Sequence, residues 1–395
     1  MDLLHLDNAC KVHRVVESVT GLKATSASPT DLYILHCKPA TTFDGKPVSN
    51  IFVKLCVEPQ SLTPEVMAQL EPNLPDGDPE HLLKRLRYAL NEYRVYDVVR
   101  RMYYNYTCPF FIRVYGIGTR CSYRQVNKLL GRHSVNLKRN LWYTLTNHTQ
   151  RPAVDDDDVN ASAEASESKQ VYSDFDPRHE LKFNLLLLQY MEAPSVIEVV
   201  LQNRYFEEPV LLSKMLFMVG YTCYAMWLNG LCHKDLHMRN VLIESCAPRS
   251  FVLVVDTEVY ELQDVVEFPR VFDFDRSLVQ PCKPSAADLF YFVCHVSTAL
   301  SEEYLLELAK CFMNPFGNSP RVKQLATYWQ QPFDRRSEAE TVEHLKHIRP
   351  LQSVLLGLRR LANIVLLPRV PREGDVFIAR RELVGAPNVR EAFYK

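Results

Sequence analysis

From Val210 to Leu228 the chain reads VLLSKMLFMVGYTCYAMWL, nineteen residues in which Lys214 is the single charge. A segment this long and apolar has two physical outcomes, a bilayer span or a helix buried inside a large folded body. Lys214, Ser213 and Thr222 weaken the first, and the residues that follow at once are polar, so a buried helix and no membrane span are expected. Burying it on all sides takes a long chain of ordinary apolar content, and 395 residues at 47% hydrophobic and 24% charged supply one. Lys+Arg 46 against Asp+Glu 47 leaves no net field to hold nucleic acid, so no nucleic-acid partner is expected. The 11 cysteines are odd in number, scattered, and never spaced Cys-x-x-Cys, which favours reduced thiols and an intracellular protein of cytoplasm or nucleus. The start, MDLLHLDNACKVHRV, has neither the basic residues nor the apolar core of a signal peptide.

Around that helix the elements alternate in type. Asp31–Cys37 and Asn50–Val57 read as strands; in the second, Ile51, Val53, Leu55 and Val57 share one face and Lys54 sits among apolar residues on the other. Residues 58–80 carry five prolines and read as a loop. A helix is expected from His81 to Met102, with Glu92 on the same stripe as Tyr88, Val95, Tyr96 and Val99. Cys108–Ile117 reads as a strand. Residues 119–180 read as a polar, mostly disordered insertion, most acidic at Val154–Ser168 (VDDDDVNASAEASES). Leu181 onward (LKFNLLLLQYMEAP) is an apolar strand, and the remainder is mostly helical apart from 229–285, with an amphipathic helix at Pro350–Val365.

The chemistry concentrates just after the apolar helix. Gly230–Glu244 (GLCHKDLHMRNVLIE) packs His233, Lys234, Asp235, His237, Arg239 and Asn240 into one loop, and Phe272–Ser277 (FDFDRS) forms a second, acidic one. Metal–phosphate chemistry needs a group to orient a hydroxyl and oxygen ligands from two loops to hold magnesium. Asp235 and Asn240, with Asp273 from the other loop, suit that need.

These residues resemble the protein-kinase superfamily. His233-Lys234-Asp235-Leu236 followed by Asn240 is similar to the catalytic loop H-R-D-L-x-x-x-N, and Asp273-Phe274 to the first two residues of D-F-G. The resemblance implies an α+β, bilobal fold: residues 1–192 as a small antiparallel sheet with one helix C, running into a hinge, and 193–395 as a mostly helical lobe. It implies ATP and Mg2+ as cofactors and Ser/Thr hydroxyls of a protein substrate as acceptors. Lys54 would hold phosphates and pair with Glu92; Asp235 would orient the acceptor; Asn240 and Asp273 would hold the metal. Leu188 would stand at the gatekeeper position, and the backbones of Gln189 and Met191 would meet adenine. Gly21 would line the phosphates, Arg239 would steady the γ-phosphate, and Asp288 would brace the catalytic loop.

Several departures narrow the likeness. The glycine-rich loop keeps only Gly21, and Asp275 replaces the third residue of D-F-G. Asn240 and Asp273 are 33 residues apart, the excess SFVLVVDTEVYELQDVVEFPRV reading as an added strand pair. The segment after Asp275 is short, with Ser277 and Ser285 as its only hydroxyl acceptors, so activity independent of phosphorylation there is expected. These features are similar to the divergent haspin-like branch and to Ser/Thr kinases of large DNA viruses. Two other readings use the same residues: a small-molecule phosphotransferase of the aminoglycoside or choline kinase type, and a pseudokinase scaffold. Oligomeric state is not legible from the sequence.

Overall fold

The computed structural model describes residues 14–22, 30–39, 41–43, 46–74, 78–133, 135–146, 181–192, 194–201, 208–279, 286–313, 319–371 and 374–380, with Val12 and Tyr205 besides. The protein is α+β and divides into two compact units, Met1–Arg94 with Arg113–Tyr190 and Val95–Ile112 with Met191–Lys395. Val95–Ile112, expected with the first unit, groups with the second.

In the first unit, β1 (Val16–Leu22), β2 (Thr30–Cys37), β3 (Asn50–Val57), β4 (Val114–Ser122) and β5 (Lys182–Gln189) form one antiparallel sheet ordered β1-β2-β3-β5-β4. The alternation in β3 puts Ile51, Val53 and Leu55 in the core, at most 1% exposed. Central β5 is apolar without alternation, and Leu185–Leu188 are buried on both faces. The strand expected from Cys108 starts only at Val114, because Pro109 has no N–H for a ladder and Phe111 makes a lone bridge to Val271.

Prolines read as loop markers turn out to start helices. Pro64 opens α1 (Pro64–Leu70), with the Thr63 side chain accepting from Val66 N–H. A missing N–H costs nothing in the first turn. Helix α2 runs Pro79–Tyr104, and the division between the units falls within it. The polar stretch from 119 is also corrected: it holds α3 (Tyr123–Leu130) and α4 (Leu137–Thr146). Ser122 and Gln125 form a capping box on α3. Val126, Leu129 and Leu130, then Leu137, Leu141 and Leu145, recur at helical spacing and are buried, a period hidden by polar composition. Thr144 donates to Asp31 Oδ1 at 2.5 Å, tying α4 to β2. The first unit thus contains more than one helix. The acidic run Val154–Ser168 lies outside the described residues.

The second unit is built on α5 (Pro209–Leu228), in which the unbroken stretch Leu216–Met226 is buried. This helix is long and apolar enough to cross a membrane, but 78% of its most apolar window is buried inside the protein. Two short strands, β6 (Leu231–Cys232) and β9 (Leu278–Val279), pair with each other. Between them a long hairpin, β7 (Val241–Val255) and β8 (Glu258–Val271), is the added strand pair; it starts right after Asn240, earlier than expected. Helices α6 (Ala287–Val296), α7 (Glu302–Phe312), α8 (Pro320–Gln330), α9 (Glu338–Leu345) and α10 (Leu351–Leu361) follow. Strands β10 (Val365–Leu367) and β11 (Val376–Ile378) complete a second sheet, ordered β10-β8-β7-β11. Eight described cysteines carry no disulfide, whereas Cys232 is disulfide-bonded. That bond departs from the expected reduced state, and cysteine spacing carried no sign of it.

Candidate active site

Lys54 and Glu92 meet in the first unit. Lys54 lies mid-strand in β3, paired with Leu186 and Leu32, and its Nζ reaches Glu92 Oε1 of α2 at 2.6 Å. Glu92 is 2% exposed. A carboxylate so buried is tolerated only with its counter-charge in contact. Tyr93, the next residue on the helix, donates to Lys54 O at 3.1 Å and Asn184 O at 3.0 Å, fixing α2 to β3 and β5.

The remaining polar positions assemble in the second unit. Asp288, in the first turn of α6, accepts N–H from His233 at 2.9 Å and from Lys234 at 3.0 Å. Lys234 has φ +66° and Asp273 φ +62°, left-handed conformations that cost a side-chain-bearing residue about 1 kcal/mol or more. The surroundings compensate. Asp288 grips the main chain at Lys234, and Asp273 N–H donates to Tyr96 Oη at 3.2 Å.

A ring of bonds then joins the two loops. Asn240 Nδ2 donates to Asp235 O at 2.9 Å, Phe272 N–H to Asn240 O at 3.1 Å, and His233 Nε2 to Phe272 O at 3.0 Å. Ser277 Oγ closes on His233 O at 3.1 Å. Since Nε2 faces a carbonyl it carries the proton, and burial pushes the His233 pKa down, keeping the ring neutral. Phe274 is fully buried beneath, 5.0 Å from the His233 ring and edge-on to Tyr96 at 5.1 Å. The apolar residue between the two aspartates therefore anchors their loop.

Asp235 itself is half-buried. Two groups approach its Oδ2, Arg276 Nε at 3.6 Å and His237 Nε2 at 3.8 Å. Arg239, on the same 3-10 turn as Asn240, is exposed. Sequence reasoning missed the approach of Arg276 and the packing of His295 against His237, ring centroids 5.8 Å apart. The second had a signal: Asp288 and His295 are seven residues apart on α6, hence on one face.

Of the expected nucleotide contacts, Gln189 has its N–H committed to Arg113 O at 2.9 Å and so cannot donate it to a ligand. Met191 makes no backbone–backbone hydrogen bond among the described residues. Gly21 lies in β1 opposite Tyr33, where an added Cβ would meet the Tyr33 ring at 3.9 Å, an ordinary contact. Nothing within the described protein thus demands glycine there. Residues 23–29, with Ala24, Ser26, Ala27 and Ser28, lie outside the described residues, as does Ser285.

A magnesium ion fits the donor set. The bond from Asn240 Nδ2 to Asp235 O turns Oδ1 of the amide away as the acceptor end, and Asp273 adds a carboxylate from the adjoining loop. Among the described residues no three His, Cys, Asp or Glu side chains gather as a metal cage. No protein-family model matches the chain, and no curated protein matches it.

Proposed function

We propose that the protein is an ATP- and Mg-dependent phosphotransferase of protein-kinase type, moving the γ-phosphate of ATP to Ser/Thr hydroxyls of a protein. The observation that carries this reading is the hydrogen-bonded ring holding Asp235, Asn240 and Asp273 in adjoining loops, with Asp288 bracing the strained main chain at Lys234. Left-handed backbone also occurs at turn and bulge residues such as Arg120, Asp256 and Asp264; what supports the reading at Lys234 and Asp273 is that the strain falls within the bonded loops, with Asp288 gripping the main chain there. The α+β organisation, with an antiparallel sheet in one unit and a buried helix at the heart of the other, is in keeping with a bilobal kinase-like fold of the haspin-like branch.

In this reading Lys54, held by Glu92, binds phosphate oxygens, and Arg239 adds charge at the transferred group. Asn240 and Asp273 hold magnesium, which when bound neutralises phosphate charge. Asp235 orients the acceptor hydroxyl and takes its proton as the new O–P bond forms and the bond to the leaving diphosphate breaks. Positioning and electrostatics supply the rate. Ser277 is 1% exposed and bonded to His233 O, so it is a strut and no acceptor for regulatory phosphate.

The test is transfer from γ-labelled ATP with magnesium to mixed acidic and basic proteins, comparing wild type with Asp235→Asn and Lys54→Met. Label on protein, falling to background in both variants, is the expected result. An Asp235→Asn variant that transfers at the wild-type rate would falsify the assignment. Label confined to small alcohols would move the acceptor class to small molecules.

A further inference from the structure

His237 is the N-cap of the turn Met238–Asn240, and its Nδ1 accepts the Arg239 N–H at 3.2 Å. A ring nitrogen that accepts carries no proton, so the neutral imidazole keeps its proton on Nε2. Nε2 is the atom facing Asp235 Oδ2, 3.8 Å away. Behind the ring stands His295 of α6, at 67° to it. Burial, with His237 and Arg336 nearby, brings the His295 pKa down to about 4 against the pull of Asp235, so this neighbour is neutral and packs without repelling. The ring is thus fixed through its Nδ1 and through its face, and only its Nε2–H is directed at the carboxylate.

Asp235 is approached from one side only. Arg276 and His237 both reach Oδ2, while no hydrogen bond reaches Oδ1 among the described residues. Arg276 is 71% exposed, and a pair so open to water contributes little. We propose that His237 is a positioning residue: its Nε2–H draws Oδ2 of Asp235 and so turns Oδ1 toward the acceptor hydroxyl. This rests on the reading of Asp235 as the group that orients the acceptor. The separation of 3.8 Å is longer than a hydrogen bond, as such contacts commonly are before substrate binds, and a small rotation of the carboxylate closes it.

Two substitutions in the full-length protein separate capping from orienting. In His237→Asn the side-chain oxygen replaces Nδ1 as acceptor for Arg239 N–H, and nothing reaches Asp235. In His237→Gln an N–H extends to where Nε2 was. The expected result is a loss of kcat of about 10- to 100-fold in His237→Asn, in the range for groups that orient a functional side chain, with KM for ATP and melting temperature unchanged. His237→Gln should recover most of that rate. Equal rates in wild type and His237→Asn overturn the proposal, as does a loss that Gln fails to restore. A second readout needs no activity: the ring nitrogens of 15N-histidine-labelled protein. A proton on Nε2 of His237, whose resonance moves in Asp235→Asn while Nδ1 stays put, supports the contact; a proton on Nδ1, or an Nε2 blind to Asp235→Asn, overturns it. Wild type that transfers no phosphate sinks the phosphotransferase reading, and the ring resonances then decide the His237–Asp235 contact by themselves.

Discussion

Lys54 and Glu92 are two charges that the first unit would reject singly. Removing one partner of a buried pair typically costs about 3–5 kcal/mol, because the other is left uncompensated, whereas replacing both with apolar groups is often neutral. Lys54→Met should therefore destabilise the protein by about that amount, and Lys54→Met with Glu92→Leu should regain most of it. Urea denaturation reads both, and a double variant as unstable as the single one would refute the account. At this scale the sequence was legible wherever a polar residue stood in an apolar setting: Lys54 in its strand, Glu92 on its helix stripe, Asp235 and Asn240 after the buried helix. Arg276 at Asp235 was not legible, since its neighbour is set by how two loops fold back and not by any spacing. Gly21 was legible only as a departure, and the structure offers no steric reason for it.

Helix crossings in the second unit rest on two glycines that differ in what surrounds them. A Cβ added at Gly357 of α10 would lie 2.8 Å from Cys311 Cβ and 3.0 Å from its Cα on α7. Backbone cannot yield cheaply, so the two helices would have to separate. At Gly220 of α5 the nearest atoms are Leu355 Cδ2 at 2.8 Å and Leu289 Cδ2 at 3.1 Å, ends of side chains that can rotate away. Alanine adds up to about 1 kcal/mol of helix propensity at either position, against about 1–3 kcal/mol for overpacking. Gly357→Ala should thus be clearly the more destabilising of the two, and the reverse order in chemical denaturation would contradict this packing. The elements themselves were legible where period and composition agreed, as in β2, β3, α2 and α5. They were missed where these conflicted. Helices α3 and α4 carry helical spacing inside a polar composition, and α1 begins at a proline that also reads as a breaker.

For the molecule as a whole, acidification should act through the second unit. His233 and His295 both have pKa values below the ordinary 6.5, the second at about 4, chiefly because burial disfavours the charged ring. The unfolded chain therefore takes up these protons before the folded one does. Stability is at its full value above pH 6.5 and declines as pH falls toward 4. The melting temperature should drop between pH 7.5 and 4.5, and His295→Gln should drop less; identical drops would remove His295 from the explanation. The α+β class and the place of the polar loops could be read from the chain, but the extent of the added hairpin could not, since its strands begin inside the loop motif itself. That hairpin has a further consequence. Its near end is pinned where Val241 pairs with Val271, directly beside Asn240 and Phe272. Its far end is pinned by β10 and β11 and by Tyr224 Oη donating to Asp256 at 2.5 Å. Between them the register slips, around Ser245–Arg249 and Leu262–Glu267. The middle of the hairpin is an expansion joint: descendants of this chain can gain or lose residues there while the spacing of the two polar loops stays as it is.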